Sequence, residues 1–290
     1  QDFPFILYAE PEYIRKPYTY PNDYNPNSQC SIAAVKADLA WDYWDIESGE
    51  IPGDENILLA SVDTGVDYTH PDLIENIWVN QGEIPAWAFE SPEVNSNGDD
   101  YVSALEINNF MLSEGDLNND GDINLRDAVA EGSPFIDGVD NNGDCLNVYY
   151  NNQQIFSKDS NQDGCECCTG DAGVDDIFGW DASGTSGTGD NDPFPKSGVQ
   201  NDSEWAHGTH VAGILAATTN NELGMASAIF NGKILSVKCS RDNSGEDAPP
   251  IYDGYDGITY AAKAGYFAGA RTIINCSWGG GGNNTFEQSV

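Results

Sequence analysis

The sequence predicts an α/β fold: a three-layer, doubly wound sheet of mainly parallel strands, incomplete at the C-terminus and carrying a loop-rich insertion. Two observations lead there. Short apolar, β-rich runs alternate with helical stretches on either side of the chain's middle, and such runs suit parallel strands buried on both faces. Between them lies a long polar segment rich in Gly, Asn and Asp.

The elements follow in order. Residues 1–29 are rich in Pro, Tyr and Asn and read as extended chain and turns. A helical stretch is expected over Ile32–Trp44, then a strand over Asn56–Asp63. Residues 81–206 form the insertion, with 26 acidic and 3 basic residues. Beyond it, Val211–Ala217 reads as helix, Lys233–Cys239 as a buried strand, Asp256–Ala268 as an alanine-rich helix and Arg271–Ser277 as another buried strand. Reactive groups of a doubly wound sheet gather beyond the carboxyl ends of its strands. Asp63 and Ser277 both lie at such ends, so they can face one cleft.

Composition narrows the function. Eleven Lys+Arg stand against 48 Asp+Glu, a net charge of −37 over 290 residues. Nucleic acid is excluded as a partner, because phosphate binding needs basic patches. No apolar run approaches the length of a membrane span. Such acidity instead creates sites for hard cations. The seven cysteines include four in the acidic middle, where disulfides would suit a secreted protein. Cys239 and Cys276 end apolar runs and read as buried thiols.

His207-Gly-Thr-His-Val-Ala-Gly213 puts a histidine at the mouth of a small-residue helix, and Val62-Asp-Thr-Gly-Val66 puts an aspartate at the end of a buried strand. A general base needs an oriented ring and a stabilised charged form, and a buried aspartate supplies both. Two plainer readings stand beside this one. Asp63 can cap a turn, and His207 with His210 can form a zinc pair at i and i+3. We read His207 as the base and His210 as a structural helix residue.

Three segments carry a resemblance. Val62-Asp-Thr-Gly-Val-Asp-Tyr-Thr-His-Pro-Asp-Leu73 resembles the aspartate motif of subtilisin-like serine proteases, the subtilases. His207-Gly-Thr-His-Val-Ala-Gly-Ile214 resembles their histidine motif. Ile274-Asn-Cys-Ser-Trp-Gly-Gly280 resembles the strand that pairs with the substrate backbone. The resemblance implies that Asp63 orients the base and that His207 acts as general base and then acid. It implies that Ser277, Trp278 and Gly279 hold the peptide as an added strand. It also implies an oxyanion-hole asparagine and a nucleophilic serine, and no segment of this sequence matches either motif. They are expected from the remaining C-terminal part of the protease domain or from a second chain, leaving residues 1–290 inactive alone. Phe5–Tyr13 resembles the last strand of a subtilase inhibitory prodomain. The expected layout is therefore 1–20 as prodomain tail or N-terminal arm and 21–290 as catalytic domain.

Asp116-Leu-Asn-Asn-Asp-Gly-Asp-Ile-Asn-Leu-Arg-Asp127 has the spacing of an EF-hand-type calcium loop. Asp116, Asn118, Asp120, Asn124 and Asp127 take positions 1, 3, 5, 9 and 12, Gly121 makes the sharp turn, and Asp122 sits at position 7. Asp159, Asn161 and Asp163 repeat its opening, and Asp137, Asp140, Asn142 and Asp144 form a third acidic turn. The resemblance further implies a calcium site at Asp72 and Asn221, completed by the carbonyls of the loop Thr219–Gly224. The expected protein is a secreted or cell-surface, Ca2+-stabilised serine endopeptidase acting on proteins or peptides. The alternative is a calcium-dependent adhesion or docking protein on a degenerate protease scaffold.

Overall fold

The computed structural model describes residues 20–136, 148–150, 153–156, 175–196, 202–244 and 249–280. Its central strand is β1 (Gly53–Asp63). Two further strands, β2 (Val148–Tyr150) and β3 (Gln153–Phe156), form a separate antiparallel pair. The main sheet adds β4 (Gly179–Asp181), β5 (Asn231–Lys238) and β6 (Arg271–Asn275), in the order β4-β5-β1-β6, every pairing parallel. Register sets Asp63 opposite Lys238 and Ser61 opposite Asn275, so the carboxyl ends of β1, β5 and β6 open on one side.

Alternation along the strands divides the core in two. Leu59 and Ile234 face a cluster that takes in Ala212 and Ala216 of helix α6 (His207–Ala216). Leu58, Ala60, Val62, Leu235 and Val237 face the other way, onto Tyr260, Ala261 and Ala264 of helix α7 (Gly254–Phe267). Helices thus cover both faces of a parallel sheet, the doubly wound arrangement the sequence predicts. Small residues make the contact close. A side chain at Gly257 of α7 would collide with the Cys239 sulfur.

Three departures from expectation have physical reasons. The predicted helix over Ile32–Trp44 is broken into α1 (Cys30–Val35), α2 (Ala37–Ala40) and a 3₁₀ turn at Trp41–Tyr43. The break is at Lys36, whose φ of 62° is left-handed. It lets Trp41 bury its ring against Phe230 and donate its indole N–H to the Ala228 carbonyl at 3.1 Å. Next, β4 was not expected, since three residues, Gly-Trp-Asp, give no alternation to read. Finally, much of the acidic insertion is core. Helices α3 (Ala86–Glu90) and α4 (Ala104–Met111) help bury Val94, Val102, Ile107, Met111, Leu125 and Phe135 with the α6 side of the sheet. One further short helix, α5 (Asp202–Trp205), leads into α6.

Candidate active site

Asp63 is the last residue of β1, at the point where the chain must leave the sheet. Gly65 follows with φ of 102° and lies close against the backbone of Pro193 and Phe194, where a side chain would not fit. Asp63 is 1% exposed and its Oδ1 lies 2.7 Å from Nδ1 of His207. The His207 side chain is 49% exposed. The same Oδ1 accepts the Thr64 N–H at 2.7 Å. Asp63 is thus buried and fixed, while the His207 ring is held from one side and open on the other. With Nδ1 engaged by a carboxylate, the ring carries its proton there and leaves Nε2 for proton transfer.

His207 is the first residue of α6, and Gly208 is where the two motifs meet. A methyl group at Gly208 would collide with the Gly65 carbonyl oxygen. Thr64 and Thr209 stitch the contact. The Thr64 hydroxyl donates to the Trp205 carbonyl at 3.1 Å and accepts the Gly208 N–H at 3.0 Å, and the Thr209 hydroxyl accepts the Asp67 N–H at 2.8 Å. A cleft of ≈ 840 Å³ lies beside the base, lined among others by Phe194, Trp205, His70, His210 and Met225. His210 thus faces the cleft from α6. Among the described residues no three His, Cys, Asp or Glu side chains converge to hold a metal, so a zinc site at His207 and His210 is not formed.

Ser277, Trp278 and Gly279 follow β6. Ser277 and Gly279 are exposed. The Trp278 ring turns inward, packs over Gly254 and donates its indole N–H to the Val62 carbonyl at 2.7 Å. That bond ties the segment to the strand that carries Asp63. The neighbouring Cys276 is exposed, not buried, because β6 is the outer strand of the four-stranded sheet. Cys30, Cys239 and Cys276 are free thiols, and the other four cysteines lie outside the described residues.

Sequence reasoning missed an ion pair next to the site. Lys238, opposite Asp63 in register, is 3% exposed and bonds Asp181 at 2.8 Å and Asp242 at 2.7 Å. Burial pushes the Asp181 carboxyl up to about 7, against the pull of Lys238. The pair ties β4 to the chain leaving β5.

The cation readings divide. At Asp72, Oδ1 accepts the Asn221 amide at 2.9 Å and Oδ2 accepts the Met225 N–H at 3.0 Å. A carboxylate missed by the sequence reading, Asp23, joins them: its Oδ2 accepts the Asn220 N–H at 2.6 Å, while its Oδ1 is buried without a partner among the described residues. Burial first, and then the nearby Asp72 charge, raise the Asp23 pKa against the pull of these N–H groups. Two close carboxylates, one with an orphaned buried oxygen, make a donor set that suits a hard cation. In the loop 116–127, Gly121 has φ of 98° and Asp116 Oδ1 is buried without a partner among the described residues. Its position 12 is engaged by the loop's own backbone. Asp127 is fully buried and accepts the N–H groups of Leu117 at 2.7 Å and Asn124 at 2.8 Å, as a helix cap does. Asp120 is ion-paired with Arg126 at 3.0 Å. Asp116, Asn118, Asp120, Asp122 and Asn124 thus ring a turn that is already closed by backbone N–H groups and one guanidinium. Asp137, Asp140, Asn142, Asp144, Asp159, Asn161 and Asp163 lie outside the described residues.

Comparison with known proteins agrees with this geometry. The model of the subtilase family, Peptidase S8, matches residues 54–290. The chain belongs to the subtilase family. Among curated relatives, thermitase of Thermoactinomyces vulgaris is 39% identical over 115 residues, 39% of this subtilase and 34% of the relative. An extracellular basic protease of Dichelobacter nodosus is 32% identical over 155 residues, 51% and 23% of the two chains. A thermophilic serine proteinase of Bacillus sp. (strain AK1) is 27% identical over 278 residues, which is 95% of the subtilase and 38% of the relative. The subtilase therefore spans well under two thirds of the length of each of these relatives.

Proposed function

We propose that this subtilase is a secreted serine endopeptidase that hydrolyses peptide bonds with Asp63 and His207 as the acid–base pair of a Ser-His-Asp triad. The observation that carries the reading is the 2.7 Å contact between a buried Asp63 carboxylate and a half-exposed His207 ring. In this reading Nε2 takes the proton of a serine hydroxyl as its oxygen attacks the substrate carbonyl. The ring then gives that proton to the departing amine, and water repeats the cycle on the acyl-enzyme. Asp63 keeps the ring in the Nδ1–H tautomer and stabilises the imidazolium. No segment of residues 1–290 matches the motif of that serine, so the reading places it outside them. Ser277, Trp278 and Gly279 pair with the substrate backbone, held beside Asp63 by the Trp278 indole. The names of the Dichelobacter, Bacillus and Thermoactinomyces relatives, an extracellular basic protease, a thermophilic serine proteinase and thermitase, support both the chemistry and the extracellular setting.

A calcium ion stabilises the fold in the same reading. Asp23, Asp72 and Asn221 are the best-supported ligands, and the loop 116–127 is a second candidate centred on Asp116. The ion would neutralise the facing carboxylates and take no part in the chemistry. The reading is tested on the full-length protein, with the segment that carries the serine, using a fluorogenic peptide and a serine-directed fluorophosphonate. His207→Ala should lower turnover by at least about 10⁴-fold while the protein stays folded. Turnover retained by that variant would place the base elsewhere.

A further inference from the structure

The base sits on the first turn of a helix that lacks its own cap. Ala206, at the N-cap of α6, makes no side-chain cap bond, and no acidic residue lies in the first turn. The first N–H groups of any helix need outside acceptors, usually an N-cap oxygen bonded to the second or third helical N–H. Here that acceptor comes from another element. Gly208 is the second helical residue, and its N–H donates to the Thr64 hydroxyl at 3.0 Å, from the turn after β1. The hydroxyl's own proton goes to the Trp205 carbonyl at 3.1 Å, two residues before His207. The Thr64 N–H meanwhile holds the Asp63 carboxylate oxygen that His207 uses. Thr64 is 4% exposed, so water does not readily replace its hydroxyl.

We propose that Thr64 is a positioning residue for the catalytic base: a helix cap supplied across the fold, which fixes the start of α6 against the carboxylate it must meet. The inference rests on the catalytic reading of Asp63 and His207. Its physical necessity comes from exposure. A ring that is 49% exposed is not clamped by packing, so its orientation depends on where the helix start lies relative to Asp63. Those two residues are 144 positions apart in sequence. Gly208 permits the approach, and the Thr64 hydroxyl sets its distance and direction.

Thr64→Val removes the hydroxyl at nearly constant volume, and Thr64→Ser restores it. Both variants are measured in the full-length protein, with the segment that carries the serine, by proton NMR of the His207 Nδ1–H and by peptide hydrolysis. With Val, the low-field Nδ1–H resonance should shift or broaden, and kcat should fall about 100-fold, the scale of a roughly 1 Å misplacement, with KM little changed. Ser should restore the resonance and bring kcat to within about threefold of the original. An unchanged resonance and kcat in a folded Thr64→Val protein would overturn the proposal, as would failure of Ser to rescue. Should the unmodified full-length protein, with the segment that carries the serine, hydrolyse no peptide, the catalytic reading fails, and the NMR comparison alone still decides whether Thr64 positions His207.

Discussion

Both carboxylate oxygens of Glu106 are engaged. Oε1 accepts the Ser96 N–H at 2.9 Å and its hydroxyl at 3.0 Å, and Oε2 accepts the Ser103 N–H at 3.0 Å and its hydroxyl at 2.8 Å. Burial pushes this carboxyl up, but the bonds from Ser103 and Ser96 outweigh it and hold the pKa below the ordinary glutamate value. A lowered folded pKa means stabilisation that is fully present above the unfolded value and lost as pH falls through the folded one. Glu106→Gln should therefore cost about 1–2 kcal/mol at neutral pH, with the difference from the original protein shrinking below about pH 4. Urea unfolding at the two pH values measures it, and an equal penalty at both would refute the argument. A second single-residue test is Gly208→Ala. The methyl group meets the Gly65 carbonyl, so the variant should lose about 2 kcal/mol and part of its His207–Asp63 contact.

At the level of elements, the strands that face two apolar layers were legible because their chemistry is redundant. β1 and β5 read as apolar runs, and each appears within three residues of its expected bounds; β6 lies within two residues of its own but is not the buried strand expected, since it is the outer strand and Ile273 is 57% exposed. The contact between Asp63 and His207 was legible for a different reason: a strand-end Asp-Thr-Gly and a His-Gly-Thr helix start are local signatures. What sequence could not carry was contact at a distance. Asp23 looks like any turn aspartate until the loop 219–225 closes over it, and Lys238 looks like a surface lysine until β4 brings Asp181 beside it. The helix break at Lys36 was hidden too, since nothing in Val-Lys-Ala announces a left-handed residue. A lysine held there strains the backbone by about 1 kcal/mol. Lys36→Gly should recover roughly 0.5 kcal/mol, seen as a higher urea midpoint at unchanged slope. A lower midpoint would mean that the lysine side chain contributes more than the strain costs.

The molecule as a whole carries a net charge of −37, and its two best cation candidates sit where carboxylates are buried or face one another. A ligand that binds only the folded form stabilises it by about 2.7 kcal/mol at a hundred times its dissociation constant. For a domain of this size that corresponds to a melting temperature higher by about 4–5 °C in calcium than in chelator. Asp23→Asn should remove most of the shift if the Asp72 site dominates, and Asp116→Asn should remove most of it if the loop 116–127 does. Identical melting curves in calcium and chelator would leave the carboxylates as solvated surface.

The sheet order β4-β5-β1-β6 has a kinetic side. β1 finds both its neighbours only after the chain has passed through the whole acidic insertion, and β5 begins 168 residues after β1 ends at Asp63. Closing so long a loop is an entropic barrier that comes before any reward from pairing, and folds dominated by distant contacts assemble slowly. Here the loop also repels itself, so the barrier is partly Coulombic and shrinks as added salt shortens the screening length toward about 3 Å at 1 M. Refolding of this chain should therefore accelerate with ionic strength. Because α6 starts on the far side of that loop, His207 and Asp63 meet only when the same insertion has been closed.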